Sequence, residues 1–252
     1  MRLFIGIMGI LLALYGAIAS SADWRAASHE PVGLAPDPAT TPEAVVQVYG
    51  ARIWGWKGIL GVHTWVAVKP TGAASWTVYE VIGWRLRWSS SAVVISDRDP
   101  DARWYGSAPE LYAEKRGEGV DDLIVRIDKA ARDYPFAGEY GLWPGPNSNT
   151  FTAWITRAVP ELEADLPATA IGRDYLRDKV VDSAPSGRGK QLSLAGLLGV
   201  TASSVEGFEL NVLGLTFGIN PFNPAIKLPF VGRIGGGPHI AAPVINGAGA
   251  RP

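Results

Sequence analysis

The stretch HTWVAVK at residues 63–69 is β-branched and alternating, which is typical of a β-strand. The strand is expected to end at Pro70, where a turn of sequence PTG begins. Residues 76–84 then form its natural partner in a hairpin. Shorter stretches at 45–49 and 92–96 add two more strands. The sequence therefore predicts an antiparallel sheet.

Helical patterns follow these strands. The stretch SAPE at residues 107–110 matches a capping box with its proline near the first helical position, which predicts a helix start. Residues 121–134 place apolar side chains on one helical face. Residues 151–158 repeat apolar residues at helical spacing, with Asn147 or Ser148 as the N-cap. The expected fold class is α+β, an antiparallel sheet with helices packed on it.

The chain divides into four parts by composition. Residues 1–22 are expected to be a signal peptide or membrane anchor, and residues 23–44 a Pro-rich spacer. Residues 45–234 are expected to be a single α+β domain, and residues 235–252 a flexible tail that begins in a glycine run. The end of the domain contains two Gly-broken aliphatic stretches that predict paired strands, at residues 191–200 and 208–217.

The N-terminal segment indicates export. Arg2 is followed by residues 3–19, which carry no charge and would span about 26 Å as a helix, just short of the hydrocarbon core of a bilayer. Residues 17–19, Ala-Ile-Ala before Ser20, have the small-x-small form of a cleavage site. The expected location is the cell envelope. The domain is either anchored in the inner membrane and lies in the periplasm, with the segment as its membrane contact, or is secreted to the periplasm.

Composition excludes several function classes. The chain has 23 Lys and Arg against 24 Asp and Glu, so it lacks the basic field that attracts nucleic acid. It contains no cysteine, which excludes disulfides and thiolate nucleophiles. Its three histidines, His29, His63 and His239, lack the short spacings of a zinc site. The sequence predicts neither a metal nor a cofactor.

Two polar residues lie at positions that favour nucleophilic catalysis. Ser148 is expected at the start of a helix, where free N–H groups and the helix dipole favour a developing alkoxide and oxyanion. A neutral imidazole such as His63, at a strand end, is the usual base for such a hydroxyl. The alternatives are structural: a serine before a helix is ordinarily a cap, and a strand histidine flanked by tryptophan is ordinarily a hydrogen-bonded core residue.

The order of histidine strand, hairpin, helices and helix-opening nucleophile resembles the circularly permuted papain-like hydrolases of the NlpC-like and lecithin:retinol-acyltransferase-like group. Several of these have an Asn-Cys-Asn-x-Phe segment at the nucleophile, and residues 147–151 read Asn-Ser-Asn-Thr-Phe. This resemblance covers residues 45–160. With HTW at 63–65 and GPNSNTF at 145–151, nearly the whole chain also resembles a bacterial, membrane-anchored family of unknown function.

The resemblance implies a serine variant of the papain-like site, with a third residue that orients His63. Tyr79 and Glu80, on the next strand, are the candidates, and the hairpin register decides between them because they point to opposite faces.

The residues expected to bind substrate are Asn147, Asn149, Tyr140 and Trp143. The implied function is amide or ester hydrolysis, or acyl transfer. The alternative is a non-catalytic envelope protein, either structural or a binder of a peptide, glycan or lipid.

Overall fold

The computed structural model describes residues 23–237 and 239–240, so the expected signal or anchor at 3–19 lies outside the described residues. Within the described part, no helix is both long enough and apolar enough to cross a membrane. The fold is α+β and consists of two sheets and two α-helices, as the sequence predicts.

Sheet 1 has six strands in the order β13-β5-β1-β2-β3-β4. Neighbouring strands are antiparallel, except that β13 runs parallel to β5. The strands predicted around 45–49, 63–69, 76–84 and 92–96 are all present. The bounds are β1 Val45–Arg52, β2 Val62–Lys69, β3 Thr77–Val81, β4 Val93–Asp97, β5 Glu110–Arg116 and β13 His239–Ile240.

Two amphipathic helices pack on one face of sheet 1. They are α1, Val120–Arg132, and α2, Ser148–Ala158, as the helical patterns predict. Buried apolar side chains from the sheet, such as Val66, meet Ile127 of α1 and Phe151 of α2 in one core. Because strand side chains alternate between faces, the residues in between form a smaller apolar cluster on the other side of the sheet. Sheet 1 is therefore covered on both faces.

The prediction that a helix begins at the SAPE stretch is wrong, because Glu110–Arg116 forms strand β5. It pairs with β1 along most of its length, with one register shift at Val48/Tyr49. Tyr112 and Ala113 of this strand are buried. The capping pattern is local and weak, whereas pairing with β1 and burial stabilise the strand more than the helix. Tertiary contacts commonly override short propensity signals in this way.

Sheet 2 is a seven-stranded meander in the order β12-β11-β10-β9-β8-β7-β6. The stretches 191–200 and 208–217 each predicted one strand, but each contains a turn and contributes to two. The turn at Leu213 and Gly214 has positive φ at both residues, +55° and +80°, as a two-residue type I′ hairpin requires. The bounds are β6 Val181–Ser183, β7 Lys190–Leu194, β8 Leu198–Ser203, β9 Gly207–Val212, β10 Leu215–Asn220, β11 Ala225–Leu228 and β12 Gly232–Gly235.

The inner face of sheet 2, which is turned toward the rest of the chain, is polar. Lys227 is buried there between Asp165 and Glu209, with its Nζ 2.7 Å from Glu209 Oε1. Arg173 donates to Glu209 Oε2 at 2.6 Å, and Arg233 donates to Asp165 at 2.5 Å. Burying these charges is tolerable because each has a partner of opposite charge.

The outer face of sheet 2 is apolar and exposed. We use this name for the side chains that project from alternate strand positions away from the rest of the chain. Its large apolar members are Val181, Leu192, Leu194, Leu198, Val200, Phe208, Leu210, Val212, Phe217, Ile219, Ile226 and Ile234.

The Pro-rich segment that precedes β1 runs along the surface of the domain. Its Trp24 ring lies 5.8 Å from that of Tyr105, and Pro31 forms a β-bridge with Ala102. The backbone N–H of Leu34 donates to Asp101 at 2.5 Å. At the other end, residues 239–240 of the predicted tail belong to sheet 1, and residues 241–252 lie outside the described residues.

Candidate functional site

The hairpin register selects Glu80 as the partner of His63. Strands β2 and β3 pair Val66 with Tyr79, which puts Glu80 on the same face as His63. The Nε2 of His63 lies 2.8 Å from Glu80 Oε2, and both side chains are buried. Tyr79 points to the opposite face, where its hydroxyl donates to Asp128 at 3.2 Å. Of the two candidates for the third residue, only Glu80 contacts the imidazole.

Glu80 is held in its charged form. Burial alone would raise the pKa of this carboxyl, but the hydrogen bonds and charges of His63 and Arg98 outweigh it and lower the pKa below its usual value. Arg98 donates from Nε to Glu80 Oε1 at 3.2 Å, and its guanidinium lies 5.2 Å from the ring centre of Trp65. A charged Glu80 accepts a hydrogen bond from Nε2, so Nδ1 is the ring nitrogen that can accept a proton when the imidazole is uncharged.

An aromatic cluster fixes the ring of His63. Trp104 stacks on the imidazole with ring centres 3.7 Å apart and an interplanar angle of 13°. The rings of Trp84 and Tyr105 lie edgewise or tilted against Trp104 at 6.1 and 5.1 Å. With one ring edge hydrogen-bonded and one ring face covered, the imidazole has a single orientation.

Asn147 is the N-cap of α2. Its Oδ1 accepts from the backbone N–H groups of Asn149 and Thr150, and Thr150 Oγ1 accepts from the Asn147 N–H in return, which completes a capping box. Gly172 lies against this side chain at φ +97°, and a Cβ there would come within 2.5 Å of Asn147 Nδ2. The cap that the sequence assigned to either Asn147 or Ser148 is therefore formed by Asn147.

Ser148 is the first residue of α2, and its side chain does not cap the helix because Asn147 does. In the region covering residues 23–237, no hydrogen bond engages its hydroxyl or its backbone N–H. The hydroxyl and the amide both lie at the positive end of the helix dipole. These are the two groups that a serine nucleophile and its oxyanion site need.

Hydrogen bonds fasten the start of α2 to β2. The Asn149 Nδ2 donates to the carbonyl oxygens of Val62 at 3.1 Å and Ile171 at 2.8 Å. Thr64 Oγ1 lies 3.0 Å from Asn149 Oδ1 and 3.4 Å from the carbonyl oxygen of Ser148. The two strand neighbours of His63 are thus bound to the first turn of the helix. Asn149 is expected to bind substrate, but its side chain makes these hydrogen bonds between α2 and the neighbouring backbone.

A cavity of about 560 Å³ is lined by both His63 and Ser148. The two reach it from different sides, because strand alternation puts the imidazole on the face of sheet 1 opposite α2. No hydrogen bond joins them in the described structure. The lining is dominated by large apolar and aromatic side chains, among them Trp54, Trp56, Leu60, Trp84, Tyr105 and Leu142.

Tyr140 and Trp143, which are expected from the sequence to bind substrate, both line this cavity. The Tyr140 ring packs on Gly83, where a Cβ would come within 2.4 Å of the ring. Trp143 is half exposed and donates from Nε1 to the Leu213 carbonyl oxygen in the β9–β10 turn at 3.0 Å. Both side chains therefore form part of the cavity wall.

Two residues of the site were missed from the sequence. Arg98 and Trp104 come from the loop between β4 and β5, and neither belongs to a recognisable motif. The only available signal was the charged run at 97–99 directly after a predicted strand. In the described part of the chain, no three His, Asp or Glu side chains are grouped in a way that could hold a metal ion.

Comparison with known proteins identifies one family. Neither a curated protein nor a solved structure matches the chain. The model of a family described as protein of unknown function (DUF3750) matches residues 43–175, more than half of the chain. The match includes His63, Glu80 and Ser148 and ends before sheet 2 begins. The chain belongs to the DUF3750 family.

Proposed function

We propose that this protein hydrolyses or transfers an acyl group through Ser148, with His63 as the general base and Glu80 as its positioning partner. One observation carries the proposal: an imidazole oriented by a charged carboxylate, and an unengaged hydroxyl at a helix N-terminus, line the same cavity. The resemblance to permuted papain-like hydrolases supports the same assignment. It would make this protein a serine member of a group that mostly uses cysteine.

The reaction would begin with attack of Ser148 Oγ on the carbonyl carbon of an ester or amide, while its proton moves to Nδ1 of His63. Because no hydrogen bond joins the two residues, this transfer proceeds after substrate closes the gap or through one water molecule. The oxyanion would accept a hydrogen bond from the Ser148 N–H. Its collapse breaks the bond to the leaving alcohol or amine, which takes the proton from His63.

The acyl group on Ser148 is then removed by water, which gives hydrolysis, or by an acceptor alcohol or amine, which gives transfer. The aromatic lining supports an apolar group as the part of the substrate that enters the cavity. Asn147 and Asn149 contribute by holding the helix start in place. Tyr140 and Trp143 contribute by contacting the entering substrate.

The test is labelling of the full chain by a fluorophosphonate probe with an alkyl chain. We expect one labelled site, which disappears in Ser148→Ala and persists in the matched control Ser90→Ala, an exposed serine. His63→Ala and Glu80→Gln should slow labelling. Asn147→Ala should cost about 0.5–2 kcal/mol of stability as a lost cap but leave the probe reactive. Labelling that survives Ser148→Ala would refute the proposal.

Ser148→Cys gives a second, independent measurement. The natural chain has no cysteine, so iodoacetamide reports only on the introduced thiol. At the helix N-terminus, in the cavity that His63 also lines, this thiol should be alkylated at a pH well below that needed by a free cysteine. The same rate as an exposed cysteine at position 90 would show that the imidazole does not reach the nucleophile.

A second candidate is a binding protein for an apolar ligand. One observation favours it: Trp104, His63, Glu80 and Arg98 contact one another in series, and none of these contacts involves Ser148. In that case the probe should not react, whereas a fatty acid should change the tryptophan fluorescence equally in the natural protein and in Ser148→Ala.

The uncharged run at residues 3–19 supports a location in the cell envelope. Retention of the protein in membranes after an alkaline carbonate wash would favour an anchor over a cleaved signal.

A further inference from the structure

The outer face of sheet 2 is too large and too apolar to be ordinary surface. Its twelve large apolar side chains are each 39–58 % exposed. Together they leave on the order of 1,000 Å² of apolar surface, more than the roughly 300–600 Å² of the largest patch on a typical monomer. Among the outward strand positions of β6 to β12, only Lys190 is charged, and it lies at the end of β7.

The face is built as continuous rows across the strands. One row runs from Leu192 through Val200 and Leu210 to Phe217, and another runs from Phe208 through Ile219 to Ile226. With strands about 4.8 Å apart, seven strands make a surface roughly 29 Å wide. The depressions in this surface are lined mainly by its own apolar side chains, such as Phe208, Phe217 and Ile226. Among its described strand positions it carries no charged anchor except Lys190 at the end of β7, so it lacks the charged groups that select a particular protein partner.

The apolar surface continues to the mouth of the candidate site. The tip of the β9–β10 hairpin holds Leu213, which is 60 % exposed and whose carbonyl oxygen accepts from Trp143. Trp143 and its neighbour Leu142 are both half exposed, and both line the cavity. One apolar surface thus connects sheet 2 with the cavity.

The length of the preceding chain limits where the domain can lie. The uncharged run ends at Ala19, and the described chain begins at Asp23, only about 14 Å away when fully extended. From Trp24 onward the segment is packed against the domain, so it does not lengthen the connection between the uncharged run and the domain. If the run is inserted in a bilayer, the domain is held directly at the bilayer surface.

We propose that the outer face of sheet 2 lies on a lipid bilayer, as a second membrane contact besides the N-terminal segment. Transfer of this apolar surface from water to the lipid interface supplies the driving force. The proposal does not depend on catalysis by Ser148. It also brings Leu142 and Trp143, which line the cavity, close to the lipid.

The main rival occupant is a second copy of the chain. Two such faces packed together would bury about 2,000 Å², within the range of stable interfaces. The third possible occupant is the uncharged run itself. The experiment must therefore distinguish lipid from protein as the material that covers the face.

The test uses single cysteines in the full chain, which has none of its own. Val200→Cys, in the middle of the outer face, and the matched control Val125→Cys, on the exposed side of α1, are each labelled with an environment-sensitive dye. Both proteins are reconstituted in phosphatidylcholine–phosphatidylglycerol vesicles, with and without lipids carrying a nitroxide quencher. We expect quenching of at least about two-fold at position 200 and little at position 125.

The comparison is internal, so insertion of the N-terminal segment alone cannot produce this difference. Equal quenching at the two positions overturns the proposal. A label at 200 that is shielded from water, is not quenched by lipid and crosslinks between copies also overturns it, in favour of a dimer. Shielding without quenching or crosslinking also overturns it, because the chain itself then covers the face. Ile219→Cys repeats the measurement should Val200→Cys fail to fold.

Discussion

The two sheets of this protein have opposite polarity. Sheet 1 turns apolar residues such as Val66 toward the helices, whereas sheet 2 turns Lys227 and Glu209 toward the rest of the chain and Leu210 toward the outside. The central strands β1 and β2 of sheet 1 are buried on both faces, whereas the strands of sheet 2 alternate buried and exposed residues. In sheet 2 the alternation shows that a strand has two different faces, but it does not show which of them is buried.

The difference also coincides with the limit of the family match. Sheet 1, both helices and the candidate site lie within residues 43–175, except for the short strand β13. Sheet 2 lies outside it. The part that carries His63 and Ser148 is stabilised by an apolar core, and the part beyond Tyr175 is joined to it through buried ion pairs. The two parts should respond differently to substitution and to pH.

The largest effect is expected from breaking the buried ion pairs of sheet 2. Lys227→Met removes the charge between Asp165 and Glu209 and leaves two buried carboxylates with fewer partners. The free energy of unfolding should fall by about 3–5 kcal/mol, as measured by guanidinium denaturation with tryptophan fluorescence. Lys190→Met, an exposed lysine on the same sheet, should change it by less than about 0.5 kcal/mol.

A second substitution tests whether Glu209 is still paired once Lys227 is gone. Glu209→Gln added to Lys227→Met should lower the stability further, because it takes from the buried Arg173 guanidinium its partner at 2.6 Å. Equal stability of Lys227→Met and the natural chain would mean that the inner face of sheet 2 is not held by these pairs.

A smaller, pH-dependent effect is expected at the candidate site of sheet 1. Glu80→Gln removes the charge that binds His63 and Arg98, and should cost about 1.5–3 kcal/mol at pH 7. The pKa of Glu80 is lowered in the folded protein, so its stabilisation is fully present above the unfolded value of about 4.3. It is lost as the pH falls through the lower folded pKa.

The stability difference between the natural chain and Glu80→Gln should therefore shrink as the pH falls below about 4.3. Denaturation curves at pH 7, 5 and 3.5 measure it, and Glu118→Gln at an exposed position is the control. Beneath sheet 2 the carboxylates differ in sign. Burial raises the pKa of Asp174 and of Glu206, so for these two groups lowering the pH favours the folded state. Burial acts on Glu209 in the same direction, but Arg173 and Lys227 outweigh it and lower the pKa of that carboxyl, as at Glu80. A pH-independent cost of Glu80→Gln would contradict a charged Glu80.

The sequence predicted those features that depend on local patterns. The strand at 63–69 and the helix at 121–134 follow from periodicity, and the start of α2 follows from the asparagine-rich stretch at 147–149. The SAPE stretch at 107–110 shows the limit of such signals. It satisfies a local capping pattern, but the following residues gain more from pairing with β1 than from helix formation.

Features that depend on distant residues could not be read from the sequence. The choice between Tyr79 and Glu80 depends on hairpin register, which the length of the turn left open. Arg98 and Trp104 reach the site from a loop without a motif. The outward apolar face of sheet 2 has the same sequence pattern as an ordinary buried one, so only the three-dimensional structure distinguishes them.

The smallest expected effect separates the two kinds of apolar residue directly. Leu210→Thr on the outer face removes apolar surface that is already 45 % exposed, and threonine suits a strand. The free energy of unfolding of the full chain should change by no more than about 0.5 kcal/mol. Ile155→Val removes only one methylene group, but from the fully buried core of α2, and should cost about 0.5–1.5 kcal/mol. Guanidinium denaturation at pH 7 compares the two variants. If Leu210→Thr proved the more costly, the outer face would be covered in the folded molecule itself, and its exposure to lipid would be untenable.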